Sequence, residues 1–229
     1  MTREARSAAW ALVVVVPAPT IGALMSFWIA PGPVGLVAYA ICKAILYGTP
    51  AVWSRFVDGE RWSSSRPLPS EARRAWVIAL LSGLVIGGSI VLAWWLLGER
   101  AIDVPRFQGI LAENRIATPA RFIAAAAWFS IVNSLLEEYS FRWFITTRIE
   151  RLTPRGAATL SALAFTAHHV VVLLAYLPPF ATALASAGIF VGGLFWSWLY
   201  RRCRSVWPGW LSHALVDAAI MAIGYVSLL

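Results

Sequence analysis

Charge is scarce in this chain. Of 229 residues only 13% are Asp, Glu, Lys or Arg, against 59% from the apolar set, where a soluble domain carries about 25% charged residues. So few polar groups cannot cover a folded surface in water, which excludes an ordinary cytosolic enzyme and a disordered chain. Lysine is represented by Lys43 alone. Cysteine is almost missing too: Cys42 and Cys203 give neither a disulfide framework nor a metal-ligand spacing. The net charge of +8 is spread between apolar runs, whereas a nucleic-acid partner calls for a clustered basic face. There is no G-x-S-x-G and no phosphate-binding glycine loop, so serine-type hydrolysis and nucleotide use have no support.

What the chain has in abundance is uninterrupted apolar sequence. Crossing about 30 Å of hydrocarbon takes roughly 20 helical residues. Seven runs meet that length, at 8–30, 34–54, 75–97, 121–147, 156–177, 180–200 and 210–229. They do not alternate between apolar and polar positions as the strands of a membrane barrel do. The expected fold class is therefore all-α, a polytopic transmembrane helical bundle of about seven spans. Thr118-Pro119 and Thr153-Pro154 read as helix starts with proline in the first turn. Pro31-Gly32-Pro33 and Pro178-Pro179 read as short turns. Gly83-x-x-x-Gly87 and Gly188-x-x-x-Gly192 are close-packing signals. Phe107, Ile110, Leu111 and Ile116 among the charges of the 98–120 loop suggest a segment lying along the interface. Tryptophans near span ends (Trp10, Trp53, Trp76, Trp207, Trp210) fit interfacial belts.

The lysine and arginine bias sets orientation. With a cytoplasmic N-terminus, thirteen arginines fall on the inner side: Arg3, Arg6, Arg55, Arg61, Arg66, Arg73, Arg74, Arg148, Arg151, Arg155, Arg201, Arg202 and Arg204. Four fall on the outer side, Arg100, Arg106, Arg115 and Arg121. The N-terminus is accordingly expected inside and the C-terminus outside. Apolarity continues through Phe27-Trp28-Ile29, beyond the roughly 7–15 residues of a signal-peptide core, so the first run reads as a retained span.

Ionisable side chains within these spans are the anomaly, since each costs roughly 2.5–3.5 kcal/mol at a helix centre. The last four spans hold Glu137, Glu138, Arg142, His168, His169, His213 and Asp217. The three carboxylates and the arginine would cost on the order of 10 kcal/mol before any pairing, so mutual contact is expected. Glu138 and Arg142, four apart, share a helical face, as do His213 and Asp217. Glu137 points about 100° away from Glu138. The helical rise puts Glu137 about 15 Å, His169 about 20 Å and His213 about 5 Å from the inner ends of their spans. These depths allow a shared cavity in the cytoplasmic half. A carboxylate base, two imidazoles and a further carboxylate can activate water against a carbonyl, directly or through a metal.

Glu137-Glu138-Tyr139-Ser140-Phe141-Arg142 reads EExxxR, and Phe165-Thr166-Ala167-His168-His169 reads FxxxH. His213-Ala214-Leu215-Val216-Asp217 reads HxxxD, a variant of HxxxN/D. In order and spacing, with the run from Gly193 to Ser212 ahead of the last motif, they resemble the CAAX-processing endopeptidase and bacteriocin-processing (CPBP, Abi) family of intramembrane proteases. The resemblance covers about residues 121–229, a CPBP-like catalytic helical core. Residues 1–120 are then an N-terminal three-span region without recognised motifs, within one membrane domain. The resemblance implies an endopeptidase site in the lipid bilayer, open toward the cytosol, acting on a membrane-associated protein or peptide. Glu137 would be the general base and His169 its partner on the attacking water. His213 and Asp217 would bind the oxyanion, with Glu138 and Arg142 in support and Phe165 as motif packing. Asp217 stands where other members carry asparagine, whose NH₂ can donate where an ionised aspartate cannot. Asp217 therefore stays protonated, orients His213 or binds a metal. The family has been read both as metalloproteases and as glutamate-type enzymes. The metal-free reading is favoured, with zinc on Glu137, His169, His213 and Asp217 as the alternative, since HExxH is missing although the mixed donor set suits zinc.

Each residue also has a plainer reading. Glu138 with Arg142 is explained as a structural ion pair, and His213 with Asp217 as a packing hydrogen bond between helices. His168 is expected at the cavity rim without a role. Lys43 either snorkels or lines the same cavity. Beside an endopeptidase stand a non-catalytic immunity or scaffold relative and a transporter. A transporter would show inverted repeats with paired broken helices, yet Pro17 and Pro19 in the first span have no counterpart in the other half. Abundant alanine, arginine and tryptophan resembles a bacterial protein of high GC content. That points to the bacterial inner (plasma) membrane, and to a C-terminal sorting helix or bacteriocin-type precursor as substrate. Nothing in the residues sets an oligomeric state.

Overall fold

The computed structural model describes residues 2–59, 69–100 and 102–229. Among these residues the regular structure is all helical, without a strand. Helices α1 (Arg3–Ile29), α2 (Pro33–Val57) and α3 (Pro69–Leu97) are followed by a short α4 (Val104–Glu113). Then come α5 (Pro119–Leu152), α6 (Ala157–Tyr176), α7 (Pro179–Cys203) and α8 (Val206–Leu228). All except α4 are long and apolar enough to cross a membrane. A backbone in hydrocarbon must satisfy its own hydrogen bonds, which helices do within one segment. The chain is thus an all-α, multi-pass bundle with seven candidate spans. Arg61 and Arg66, counted above for orientation, lie outside the described residues.

The punctuation residues act mostly as read. Gly32, at φ 105°, reverses the chain ahead of Pro33 in the first turn of α2, a conformation that only glycine adopts without strain. Pro119 and Pro179 open α5 and α7. Thr153-Pro154 does not start a helix. Thr153 ends α5 in a non-helical conformation (φ −146°, ψ 87°), and α6 begins only after Gly156. The cause is local, because proline disfavours the helical conformation in the residue before it. The 98–120 loop contains α4, whose N-terminus is capped by Asp103 accepting from the Arg106 amide at 3.1 Å. Its Leu111 is buried, and Phe107 packs on Tyr176 of α6 at 5.8 Å.

The bundle buries small and polar residues around an aromatic and aliphatic cluster that includes Leu46, Phe141, Phe144 and Phe165, and it leaves many large apolar side chains outside. Ala8, Ala11, Ala23, Ala79, Ala157 and Ala162 are buried, while Leu84, Val85, Trp95 and Val226 are exposed. This is the membrane arrangement: lipid is as apolar as leucine, so helices associate through close approach and polar contacts. Helix α3 runs along α8 and α6 along α7. On Gly83 an added Cβ would come within 2.8 Å of Leu215, and on Gly87 within 3.2 Å of Ala219, so this glycine pair lets α3 meet α8. The second pair is displaced. A Cβ on Gly188 would meet nothing within 4 Å, whereas one on Gly193 would meet Phe165 at 3.3 Å and Ala162 at 3.4 Å. The residue that brings α7 onto α6 is Gly193, because Gly188 sits on a face that no helix approaches.

Helix α5 is the hub, with polar ties to α2, α6, α7 and α8. Ser140 donates to the Leu46 carbonyl of α2, and Thr146 to the Ser161 hydroxyl of α6. Arg142 reaches Ser197 of α7, and Glu138 reaches His213 of α8.

Candidate active site

The site starts with the irregularity of α5. Its backbone widens into π-helical turns over Trp128–Asn133 and again over Tyr139–Thr146, leaving one α-helical turn, Ser134–Glu138, between them. Such widened turns are uncommon and recur at functional sites. The intervening turn carries Glu137 and Glu138, both buried.

Both glutamates face the same imidazole. His213 places Nδ1 at 3.1 Å from Oε1 of Glu138 and Nε2 at 3.9 Å from Oε2 of Glu137. Because a carboxylate only accepts, the Nδ1–H donates and Nε2 is turned toward Glu137. Asp217, one turn further along α8, has Oδ1 at 3.7 Å from the same Nε2. The ring lies flat on Trp196 of α7, with centroids 4.1 Å apart and an interplanar angle of 16°. Trp196 in turn donates to Ser212 at 3.0 Å, and Ser212 is 2.9 Å from Ser82 of α3. His213 is therefore fixed from above, below and behind.

Glu138 is fully buried and also accepts from Nε of Arg142 at 3.3 Å. Arg142 donates through Nη1 to Ser197 at 3.2 Å, and its guanidinium lies 4.7 Å from the centroid of Phe165. Phe165 is the packing hub beneath the site, edge-on to Phe141 at 5.0 Å and to His213 at 5.8 Å.

His169 has Nδ1 at 2.8 Å from the Phe165 carbonyl. A carbonyl accepts, so Nδ1 carries the hydrogen and the lone pair of the neutral ring sits on Nε2. Glu137, His168 and His169 each offer a side-chain ligand atom, all within 4.8 Å of one another. His168 is thus not at the rim. It is buried, stacked on Phe141 at 5.5 Å, and its Nδ1 has no hydrogen-bond partner among the described residues. Its sequence signal was the histidine doublet itself, whose two rings leave the same α6 turn and stand 4.0 Å apart.

Depth along the axes is also corrected. Helix α8 begins at Val206 rather than near 210, which moves His213 from about 5 to about 10 Å inside its helix. Because α5 also runs on to Leu152, helix ends alone do not set the relative depth, and the 3.9 Å contact of His213 with Glu137 does. The zinc alternative of the sequence reading paired Glu137 and His169 with His213 and Asp217, but the group that converges to within 4.8 Å contains His168 instead.

Three further residues reach Glu137 that no motif contains. Asn133 donates from Nδ2 to Oε1 at 3.0 Å. Tyr47 of α2 donates to Oδ1 of Asn133 at 3.1 Å, and Lys43 donates to Tyr47 at 3.0 Å. Lys43 Nζ itself stands 3.9 Å from Oε1 of Glu137. Of the two readings left open for Lys43, the structure takes the cavity.

Ionisable side chains gathered where α2, α5, α6 and α8 meet define a class: integral, multi-pass membrane proteins with a polar centre enclosed by their spans. Residues 119–219, from the first residue of α5 into α8, match the family model described as type II CAAX prenyl endopeptidase Rce1-like, and this stretch is similar to that endopeptidase family. It contains all three motifs. Helices α1 to α3 lie outside it. No curated protein and no solved structure matches the chain.

Proposed function

We propose that the chain is an intramembrane endopeptidase that hydrolyses a peptide bond of a membrane-associated protein or peptide with a glutamate-activated water. The observation that carries this reading is Glu137 within 3.9 Å of His213 and within 4.8 Å of His169, three helices contributing to one buried centre. Water seated among these groups loses a proton to the Glu137 carboxylate as its oxygen attacks the scissile carbonyl. His169, with its free Nε2, accepts a hydrogen bond from the other O–H of the water and orients the nucleophile. In its imidazolium form His213 donates through Nδ1 to Glu138 and offers Nε2–H to the oxyanion. Asp217 holds that ring in place. Collapse of the tetrahedral intermediate breaks the C–N bond, and Glu137 returns its proton to the leaving amine. The products are one carboxylic acid and one amine, which by proton exchange become carboxylate and ammonium.

The arginine bias supports a cytoplasmic N-terminus and a site in the cytoplasmic half, and the composition supports a bacterial inner membrane. The family is named for CAAX prenyl substrates. For this chain the substrate class is membrane-associated precursors more broadly, such as C-terminal sorting helices or bacteriocin-type precursors.

The test compares membrane and secreted proteomes of cells carrying the wild-type chain or Glu137→Gln, reading protein termini. The reading expects precursors with intact termini to accumulate in the variant. Identical termini in both would contradict it and leave an immunity or scaffold role.

A second reading has one observation in its favour, the convergence of Glu137, His168 and His169. This oxygen and nitrogen donor set fits zinc, and the Nδ1–H of His169 on a carbonyl is the second-shell bond that metal-binding histidines make. Zinc held there would polarise the scissile carbonyl and lower the pKa of bound water. The metal-free reading is preferred because Lys43 already supplies a cation 3.9 Å from the Glu137 carboxylate. Loss of precursor cleavage with 1,10-phenanthroline and its return with zinc would reverse that preference; cleavage that persists in the chelator agrees with it.

A further inference from the structure

We infer that Lys43, Tyr47 and Asn133 are positioning residues that occupy Oε1 of Glu137 and leave Oε2 as the oxygen that takes the proton from water. This rests on the proposed role of Glu137 and adds which of its atoms reacts and what the unmatched N-terminal spans contribute.

The argument is one of forced direction. Lysine only donates, so the Lys43 contact at 3.0 Å makes the Tyr47 oxygen the acceptor. The Tyr47 hydrogen then goes to Asn133 Oδ1 at 3.1 Å. That contact fixes the amide orientation, so Nδ2 faces Glu137 and donates to Oε1 at 3.0 Å. No member of the chain can reverse without leaving a donor against a donor. The ammonium of Lys43 adds charge on the same side, 3.9 Å from Oε1. It is held between aromatic faces, 5.6 Å from the Tyr39 centroid and 5.2 Å from that of Tyr47. Oε2 makes no hydrogen bond among the described residues and points to His213. One oxygen is committed and the other is free to work.

Lys43 and Tyr47 belong to α2, outside the matched stretch of residues 119–219. Two of the three relay groups therefore come from the spans without motifs, and these spans are more than a lipid-facing casing.

The chain has one lysine, so labelling with [13Cε]lysine gives one lysine side-chain signal in the whole purified protein. Tyr47→Phe and Glu137→Gln are each expected to move that signal, and Glu150→Gln, at the far end of α5, is not. In cells, Tyr47→Phe and Lys43→Met are expected to slow maturation of the precursors that Glu137→Gln blocks by on the order of tenfold to a hundredfold, the effect of a misplaced catalytic group. Tyr47→Phe is isosteric and serves if Lys43→Met does not accumulate. A lysine signal unmoved by Tyr47→Phe, or wild-type maturation in Tyr47→Phe where Glu137→Gln is blocked, overturns the relay and leaves the glutamate reading standing. Wild-type maturation in Glu137→Gln itself overturns that reading and the relay with it.

Discussion

Nδ1 of His213 lies 3.1 Å from Oε1 of Glu138. The contact gives Glu138 a task beyond pairing Arg142: it holds the hydrogen on Nδ1 and so decides which nitrogen of His213 faces the site. Two consecutive glutamates thereby act on the two nitrogens of one ring, although on a regular helix they diverge by about 100°.

Replacing Glu138 by glutamine is expected to stop precursor maturation and to lower stability by about 3–5 kcal/mol, because Arg142 would be left as an uncompensated buried charge. Arg142→Met in the same chain removes that charge. Thermal unfolding in detergent should then recover part of the lost stability, while maturation stays blocked.

Gly209 in the first turn of α8 is expected to tolerate nothing larger. An added Cβ would stand 2.6 Å from Oε2 of Glu138, and that carboxylate is fully buried with nowhere to retreat. Gly209→Ala should cost about 1–3 kcal/mol through overpacking and slow maturation by shifting Glu138. At Gly188 the same change meets nothing within 4 Å. Gly188→Ala should leave both thermal stability and maturation rate at or slightly above wild type, helix propensity favouring alanine.

Asp217→Asn tests whether the negative charge beside His213 is needed. An asparagine at 217 offers an NH₂ toward the oxyanion, so the metal-free reading expects maturation to continue at the wild-type rate or faster. A fall of tenfold or more in a pulse-chase measurement would mean that the negative charge is itself required.

The spans were legible because lipid demands long apolar runs whatever the packing, and the seven long helices, α1 to α3 and α5 to α8, follow those runs. The three motifs were legible because ionisable groups in apolar sequence stand out. Helix Thr153-Pro154 failed because the proline start signal and the restriction on the residue before proline compete, and here the restriction won. Lys43, Tyr47 and Asn133 were harder. Lys43 and Asn133 are 90 positions apart, and only tertiary packing brings α2 against α5. A faint signal existed: Lys43 with Tyr47, and Asn133 with Glu137, are each spaced four apart on one face. The π-helical turns around Glu137 left no trace, since widening depends on what the neighbouring helices allow.

The central claim is that Glu137, His169 and His213 act on one water as a unit. Groups that act together are strongly non-additive. The deciding measurement is the maturation rate of an accumulated precursor in Glu137→Gln, His169→Ala, His213→Ala and the triple variant, with membrane insertion checked in each. Each single change should slow maturation by at least about 10²-fold, and the triple variant should be no slower than the slowest single. Losses that multiply across the three, or a wild-type rate in any one of them, would contradict the account.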